Sequence, residues 1–291
     1  MFEQLGLIGC GLMGGSFALA MKRAGLVKRV VGYSKSPSTT ARAYQMGVID
    51  IEAPSALLAV SGADIVLIAV PVAATEATFK SIKHLLSPQT LIMDVGSTKR
   101  EVIDAARRTL REQVNLFVPA HPIAGKEVAG IEHADVNLYS DRQVILTPID
   151  RTGPAQLQKA HALWTALGCR VVQMSPEQHD AAFAAVSHLP HLIAFAVVNG
   201  IVGQAQGENF LSLAGPGFRD FTRIAASDPK VWRDILISNR EELLAQSQIF
   251  QRNLQALELM ISSGNTQALE DSIQQASRTR SGWSMTSRTK S

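Results

Sequence analysis

Residues 5–14 read LGLIGCGLMG, a short apolar run followed by three glycines in the spacing G-x-G-x-x-G. Residues 15–23, GSFALAMKR, continue in a helical pattern that Gly25 closes. A strand, a glycine turn and a helix in this order form a dinucleotide-binding turn, because the glycines bring backbone N–H groups and a helix N-terminus close to a pyrophosphate. We therefore predict that the cofactor contacts Gly9, Cys10, Gly11, Leu12, Met13 and Gly14.

Short apolar runs alternate with amphipathic segments through residue 174. The strand candidates are residues 5–8, 29–33, 64–70, 90–95, 116–119, 143–147 and 170–174. This alternation predicts an α/β fold, with a Rossmann domain over residues 1–174 whose doubly wound, mostly parallel sheet has helices on both faces. No strand-like run follows Pro176, so we expect an all-helical C-terminal substrate and dimerisation domain over residues 175–277 and a flexible basic tail over residues 278–291.

The helical half contains a stretch, residues 192–202, that is apolar nearly all round. A helix of this kind must be buried, and one small domain offers little interior for several of them. The simplest solution is a homodimer formed through this half of the chain.

Composition limits the class of partner. The chain has 291 residues, of which 46% are hydrophobic and 18% charged, as in a soluble globular protein of one or two domains. The net charge is +3, but residues 277–291 carry four basic residues and no acid, so the rest is nearly neutral and we expect no nucleic-acid partner. Two cysteines form no disulfide framework, and runs such as residues 65–72 are too short to cross a bilayer, so we expect a cytoplasmic protein without a membrane partner.

Ligands of an open parallel sheet bind beyond the carboxyl ends of its strands. Val70 and Pro71 lie at the end of the third predicted strand, where they are expected to contact the cofactor. Ser97 and His121 follow the fourth and fifth strands. Histidine titrates near neutral pH, so His121 is the candidate general base, and Ser97 is placed to hydrogen-bond its ring.

The end of the second predicted strand bears on the choice of cofactor. A site for NAD usually carries an acid there, whereas this chain has Ser34, Lys35 and Ser36. A cation with two hydroxyl groups suits the 2′-phosphate of NADP, so we favour NADP over NAD. In the alternative interpretation, Lys35 is only a surface residue and the site accepts either cofactor.

Two groups in the helical half suit an anionic substrate. His188 and His191 are three residues apart and share a helix face; without a spaced third ligand, we expect substrate contacts rather than a metal site. Arg219 and Arg223 lie one helical turn apart beside aromatic residues, which suits a carboxylate clamp. The alternative for either arginine is a surface ion pair with a nearby aspartate.

Taken together, these motifs resemble the TyrA family of prephenate and arogenate dehydrogenases, which includes the cyclohexadienyl dehydrogenases. The resemblance covers residues 5–277. Its motifs, in chain order, are the glycine turn, DVGSTK at 94–99, HPIAG at 121–125, SHLPH at 187–191, and GFRDFTRIA at 217–225 with Trp232.

The resemblance implies an oxidative decarboxylation in tyrosine biosynthesis, with hydride transfer to NADP or NAD. Prephenate would give 4-hydroxyphenylpyruvate, or arogenate would give tyrosine. By position, His121 would accept the proton of the substrate's ring hydroxyl, Ser97 would orient that histidine, and Arg223 would bind a substrate carboxylate.

The remaining site residues are also implied by the resemblance. Lys126 and Glu127 would lie on a mobile segment after the histidine motif. The positions expected around the substrate pocket are His188, His191, Asp220 and Trp232.

Two alternatives remain open at this point. The glycine turn also resembles those of β-hydroxyacid dehydrogenases and pyrroline-carboxylate reductases, although the former usually carry a catalytic lysine in mid-chain and this sequence has no lysine between Lys159 and Lys230. The second alternative is a non-catalytic NADP-binding sensor, which should have lost part of the set Ser97, His121 and Arg223.

Overall fold

A computed structural model describes residues 1–126 and 128–284 of the chain. The chain forms two compact units, Met1–Asn239 and Arg240–Ser291. The strands of the first unit are β1 (Phe2–Ile8), β2 (Val27–Tyr33), β3 (Ile51–Glu52), β4 (Ile65–Ile68), β5 (Leu91–Asp94), β6 (Phe117–Val118), β7 (Ala120–Pro122), β8 (Gln143–Leu146) and β9 (Arg170–Gln173). Its helices are α1 (Leu12–Arg23), α2 (Pro37–Gln45), α3 (Ala56–Ala59), α4 (Thr75–Ile82), α5 (Arg100–Leu110), α6 (Pro154–Ala166), α7 (Pro176–Phe183), α8 (Leu189–Val202), α9 (Gly207–Ser212), α10 (Pro216–Thr222) and α11 (Pro229–Ser238).

Strands β1 to β6 form one parallel sheet in the order β3-β2-β1-β4-β5-β6. The chain order reverses direction between β1 and β4, so the carboxyl ends of these two strands flank the crevice where such sheets bind ligands. Apolar side chains cover both faces, with Phe17, Tyr139 and Trp164 packed edge to face on one and Phe79 against Phe117 on the other. The predicted α/β Rossmann architecture is confirmed.

The glycine turn between β1 and α1 follows the predicted strand–turn–helix order. Gly9 has a φ of +97°, and a Cβ there would clash with the carbonyl group of Ala69. A Cβ at Gly14 would clash with the carbonyl oxygen of Gly9 itself. These two glycines are therefore required by the backbone of the turn.

The sequence predicted that His121 directly follows the fifth strand of the parallel sheet, and this prediction was wrong. His121 lies within β7, in a second sheet of order β7-β8-β9 in which β7 is antiparallel to β8 and β8 parallel to β9. The parallel sheet ends at Val118, and Pro119 accepts a backbone hydrogen bond from Thr147 at the step between the sheets. Proline cannot donate to a strand ladder, which explains why one apolar run of the sequence is divided between two sheets.

The first unit continues into a helical segment, Pro176–Val202, in which the π-helical turn Ala184–His188 joins α7 to α8. This segment has 27 residues and a mean hydropathy of 1.8 in its most apolar window, of which 22% is buried. By length and composition alone it is able to cross a membrane, so the expectation that every apolar run is too short was wrong here. Core helices of soluble proteins pass the same test, so this is weak support for a membrane span.

The second unit contains α12 (Arg240–Ser262) and α13 (Thr266–Gly282). The side chain of Asn265 accepts a hydrogen bond from the N–H of Ala268 and caps α13. Because α13 runs to Gly282, residues 278–282 are helical, contrary to the flexible tail predicted from residue 278. Residues 285–291 of that tail lie outside the described residues.

Candidate functional site

A cavity of about 340 Å³ opens beyond the carboxyl ends of β1, β4 and β5. Three groups of predicted residues line it. They are Gly11, Leu12 and Met13 of the glycine turn, Val70 and Pro71 after β4, and Ser97 after β5. We refer to this cavity as the nucleotide cleft.

The start of α1 fits a pyrophosphate. Gly11 is the N-cap, no side chain caps the first turn, and no acidic residue lies in that turn. An added Cβ at Gly11 would meet nothing within 4 Å, so space is open beside the uncapped N–H groups. A helix N-terminus with free N–H groups and access for a ligand binds anions well.

The other predicted cofactor residues do not line the nucleotide cleft. Gly9 and Gly14 shape the turn, and Cys10 is buried, which raises the pKa of its thiol to about 11. The Ser34 hydroxyl oxygen accepts the Cys10 N–H at 2.8 Å, so Ser34 ties the end of β2 to the turn.

Lys35 and Ser36 are exposed at the N-terminus of α2. The Ser36 hydroxyl is hydrogen-bonded to that of Ser38 at 2.8 Å. These side chains are open to a ligand group that reaches the end of β2, outside the cleft itself.

A second cavity of about 510 Å³ adjoins His121, and we refer to it as the reaction cavity. Five residues line both this cavity and the nucleotide cleft: Ser97, Gly125, Lys126, Ser227 and Trp232. The two cavities therefore share a wall, and His121 lines only the reaction cavity.

His121 is hydrogen-bonded to a histidine that the sequence analysis did not identify. Its Nδ1 lies 2.8 Å from Nε2 of His179, and Nδ1 of His179 lies 2.7 Å from a carboxylate oxygen of Asp180. The carboxylate can only accept, so His179 donates from Nδ1 and accepts at Nε2. His121 must then donate from Nδ1, which leaves its Nε2 as the unprotonated nitrogen.

Burial favours the neutral form of this pair. It lowers the pKa of His121 well below the usual value for histidine, and the charges of His179 and Lys99 act in the same direction. Burial also lowers the pKa of His179, although Asp180 opposes this effect. His121 is therefore a neutral base at neutral pH.

Asp180 is held as an ionised carboxylate. Burial by itself would raise its pKa, but hydrogen bonds from His179 and from the backbone N–H groups of Arg100 and Lys99 lower the pKa below its usual value. These backbone bonds measure 2.8 Å to Lys99 and 3.0 Å to Arg100, at the start of α5. The helix N-terminus adds favourable charge to the same carboxylate.

A buried ion pair fixes the backbone just before His121. Lys99 pairs with Asp94, and its Nζ donates to the carbonyl oxygen of Ala120 at 2.8 Å. Asp94 accepts the Ala120 N–H at 3.0 Å. Both polar groups of Ala120 are therefore held by side chains, which fixes the position of β7 at its first residue.

Ser97 occupies the predicted edge but not the predicted contact. Among the described residues, no hydrogen bond joins Ser97 to His121, whose Nδ1 is engaged by His179. Ser97 instead lies on the wall shared by the two cavities. The hydrogen bond to the His121 ring that was predicted for Ser97 is made by His179.

His188 does not line the reaction cavity, contrary to the prediction. It is 1% exposed, and its Nδ1 lies 3.1 Å from the side-chain amide of Asn239, which also donates to the backbone carbonyl of Asp180. Burial lowers the pKa of His188 to about 4. The π-helical turn rotates His188 inward while its neighbour Ser187 reaches the cavity.

His191 and Trp232 do line the reaction cavity. Their rings stack with centroids 3.4 Å apart, and Nδ1 of His191 donates to the Ser187 carbonyl at 2.9 Å. Burial lowers the pKa of His191, partly offset by that hydrogen bond. In the neutral ring Nε2 is an acceptor, so binding a carboxylate there requires His191 to take up a proton.

Arg223 and Lys126, two of the predicted substrate contacts, also line the reaction cavity. Lys126 pairs with Asp135 at 3.0 Å, and the Asp135 N–H donates to the hydroxyl of Ser16 in α1. Glu127, the remaining predicted substrate contact, lies outside the described residues.

Four residues of this region escaped the sequence analysis: His179, Asp180, Phe183 and Arg142. His179 and Asp180 sit one helical turn or more before the SHLPH motif, and Phe183 packs its ring against both histidines of the pair. The capping box at Ser175 and Gln178 marks the start of the helix that carries His179 and Asp180, but it gives no signal that these residues contact His121.

Comparison with known proteins agrees with this geometry. Two family models match the chain: the prephenate dehydrogenase nucleotide-binding domain over residues 17–173 and the prephenate dehydrogenase dimerization domain over residues 175–275. The chain belongs to the prephenate dehydrogenase family. It is therefore an enzyme of the dehydrogenase class, as predicted.

Individual relatives span most of the chain. A cyclohexadienyl dehydrogenase of Zymomonas mobilis is 32% identical over 96% of this chain and 95% of its own length. A prephenate dehydrogenase of Bacillus subtilis is 37% identical over 84% of this chain, which spans 66% of that relative. Neither the β-hydroxyacid dehydrogenase nor the reductase alternative is favoured by these relatives.

Solved structures of the family have the same fold. The prephenate dehydrogenase of Aquifex aeolicus, in complex with hydroxyphenyl propionate and NAD⁺, superposes with a TM-score of 0.90 at 35% identity, covering 96% of this chain and 97% of that one. An arogenate dehydrogenase of Synechocystis gives 0.81 at 28% identity, covering 96% of this chain and 99% of that one.

Proposed function

We propose that this chain oxidises and decarboxylates prephenate or arogenate, with NADP or NAD as the hydride acceptor. The observation that carries the proposal is the hydrogen bond between Nδ1 of His121 and His179, which leaves Nε2 as the basic nitrogen of a residue lining a cavity that shares a wall with the nucleotide cleft. A base next to a hydride acceptor is what the oxidation of a ring alcohol requires.

His121 performs the proton transfer. The nicotinamide of a bound cofactor would accept the hydride that leaves the ring carbon bearing the hydroxyl group. Nε2 of His121 takes the hydroxyl proton of the substrate as the carbon–oxygen double bond forms. The bond to the ring carboxylate then breaks, CO₂ leaves, and its electron pair completes the aromatic ring. The phenol oxygen regains a proton from His121.

His179 and Asp180 keep His121 ready for this step. Asp180 holds the Nδ1 proton of His179, and His179 in turn holds the Nδ1 proton of His121. When His121 becomes an imidazolium, the acceptor at His179 and the negative charge of Asp180 stabilise it. The ion pair of Lys99 and Asp94 fixes the strand on which the base stands.

Cations of the reaction cavity bind the substrate's carboxylates. Arg223 is placed to hold one of them through its guanidinium group, and Lys126 and His191 add positive or ionisable groups. Trp232, stacked on His191, supplies a flat apolar surface for the substrate ring. Ser97, on the wall shared by the two cavities, would lie between His121 and a bound cofactor.

We favour NADP over NAD on the chemistry at the end of β2. The Ser34 hydroxyl accepts the Cys10 N–H, and a hydroxyl group is able to donate its own proton as well. Lys35 and the free N-terminus of α2 supply positive charge beside it. These groups suit a 2′-phosphate, whereas an acid would repel it.

We also propose a role for each of the two domains and a homodimeric assembly. Residues 1–174 bind the nucleotide, and residues 175–277 complete the substrate site and form a homodimer. In the first unit, exposed apolar side chains include Val186, Val202, Leu213 and Ile237, and α8 has only Ala194 fully buried. A second copy of the chain would cover such side chains and place the helix Pro176–Val202 inside a cytoplasmic dimer.

The test is a two-by-two assay of the purified chain. Prephenate and arogenate are each combined with NADP and NAD, and the absorbance of the reduced nicotinamide is followed with CO₂ release. Turnover of either substrate with stoichiometric CO₂ supports the proposal. Cofactor binding without turnover of either substrate would contradict it and favour the sensor alternative.

A further inference from the structure

The reaction cavity contains a cation that no motif of the sequence includes. Arg142 lines the cavity together with His121 and Arg223. It directly precedes β8, the strand that pairs with the strand of His121.

The backbone of Arg142 is fixed. Its N–H donates to the carbonyl of Tyr139 at 3.0 Å, and its carbonyl accepts from the N–H of Arg170 at 2.9 Å. The preceding residue, Asp141, has a φ of 59°, in the left-handed region that a non-glycine residue adopts only when its surroundings hold it there. The side chain therefore starts from a defined point at the edge of the cavity.

The pairing of β7 with β8 shows how far Arg142 lies from the base His121 along the strand. His121 lies opposite Ile145, and Pro122 opposite Val144, in the antiparallel pair of β7 and β8. Arg142 is three residues before Ile145, about 10 Å along the strand. A substrate ring that has its hydroxyl at His121 and lies along β8 would bring the carbon opposite the hydroxyl to this end of the cavity.

The guanidinium group of Arg142 is open to a ligand. Among residues 1–126 and 128–284, its side chain makes no hydrogen bond or ion pair, whereas Lys126 of the same cavity is paired with Asp135 at 3.0 Å. A planar guanidinium fork matches the two oxygens of a carboxylate.

We propose that Arg142 binds the side-chain carboxylate of the substrate, the one that remains in the product. This inference rests on the proposed function. Prephenate and arogenate each carry two carboxylates on the carbon opposite the hydroxyl: one is attached directly to the ring and leaves as CO₂, and the other ends a longer side chain.

The two arginines divide these carboxylates by position. Arg223 precedes Ser227 and Trp232, which belong to the wall shared with the nucleotide cleft, so it serves the ring end of the substrate. Both arginines are exposed and line only the reaction cavity, and we assign the longer arm to Arg142 because it lies about 10 Å beyond the residue that pairs with His121.

The experiment compares two phenols that differ in one carboxylate. Hydroxyphenyl propionate carries the side-chain carboxylate, and 4-ethylphenol lacks it. Their dissociation constants are measured by titration calorimetry with the cofactor-loaded wild type, Arg142→Gln, Arg142→Lys and the surface control Arg151→Gln. Arg151 is exposed and pairs with Glu112.

We expect Arg142→Gln to weaken binding of hydroxyphenyl propionate about tenfold and to leave 4-ethylphenol unchanged. Arg142→Lys should recover part of the loss, and Arg151→Gln should match the wild type. Equal weakening of both phenols, or of neither, would overturn the assignment. An unchanged cofactor affinity shows that the variant is folded.

This binding measurement needs no turnover. If the wild type converts neither substrate, the proposed function fails while the carboxylate subsite at Arg142 is still tested by the two phenols. If the wild type turns over and Arg142→Gln retains its KM for substrate, the subsite fails and the proposed function stands.

Discussion

The nucleotide cleft offers a ligand mainly backbone groups, whereas the site around His121 offers a side chain held by other side chains. In the cleft, Gly11 and the uncapped turn of α1 present N–H groups over open space. At His121, the reactive nitrogen is defined by His179 and Asp180, all three almost completely buried. Side-chain substitutions near His121 should therefore change turnover while leaving cofactor binding in the cleft intact. The predictions below test whether these two properties change independently.

The largest effect is expected from His121→Asn. Removing the base should lower kcat about 10³-fold, because a positioned general base contributes on that scale, and should leave the dissociation constant of the cofactor unchanged. Steady-state kinetics and fluorescence titration of the cofactor measure the two quantities. His161→Asn, at an exposed histidine on α6, is the matched control and should behave as the wild type.

The pH profile of the wild type examines the same base. Since burial lowers the pKa of His121, the ring stays neutral as pH falls through 6.5, the ordinary histidine value. Activity should stay level there and decline only at clearly lower pH. Near-normal kcat in His121→Asn, or an acid limb above pH 6.5, would contradict the assignment of the base.

Arg223→Ala should have the next largest effect, and on substrate rather than cofactor. Losing charge-assisted hydrogen bonds to a carboxylate should raise the substrate KM about 30-fold while the cofactor KM changes less than about twofold. Arg219→Ala is the control, because Arg219 is exposed and pairs with its neighbour Asp220 at 3.0 Å. Parallel increases in both KM values would instead indicate that Arg223 supports the structure between cleft and cavity.

His179→Ala tests the positioning of the base without touching it. We expect kcat to fall about tenfold at unchanged cofactor affinity, because His121 loses the acceptor that fixes its tautomer. His179→Gln, whose amide oxygen is able to accept from Nδ1 of His121, should recover much of the activity.

Nitrogen NMR of labelled His121 separates positioning from general damage. The wild type should show a protonated Nδ1 and an unprotonated Nε2, and His179→Ala should lose that preference. A wild-type ring protonated on Nε2 would show that His179 does not set the tautomer.

The difference between the nucleotide cleft and the His121 site also explains why the sequence predicted the first and not the contacts of the second. Gly9, Gly11 and Gly14 are close in sequence because one turn uses them all, so a local motif sufficed to predict the cleft. The His121 site joins strand β7 to a helix that begins at Pro176, 55 residues later in the numbering, and only the tertiary fold brings His179 to it. Composition and spacing carry no signal for such a contact.

The expectations for His188 and Ser97 were wrong because local spacing does not decide tertiary contacts. His188 has the spacing of a helical neighbour of His191, but the π-helical turn adds a residue to the repeat and directs it toward Asn239. Ser97 and His121 line the same cavity although His121 lies in the second sheet, and a shared cavity does not decide which groups are hydrogen-bonded. The alternation of strands and helices in the Rossmann domain was predictable because apolar runs alternate with amphipathic segments in the sequence itself.

The smallest effect is expected at the end of β2, where side chains outside the cleft tune which cofactor it accepts. Ser34→Asp combined with Lys35→Ala places a negative charge beside the N-terminus of α2 and removes a positive one. The ratio of kcat/KM for NADP to that for NAD should fall about tenfold, because an acid repels a 2′-phosphate and accepts from a ribose hydroxyl. Lys35→Ala alone is the control for the charge, and Ser34→Ala is the control for the bond to Cys10. An unchanged ratio in the double variant would mean that the cleft selects its cofactor through the backbone of the glycine turn alone, and the preference for NADP would have no basis in these side chains.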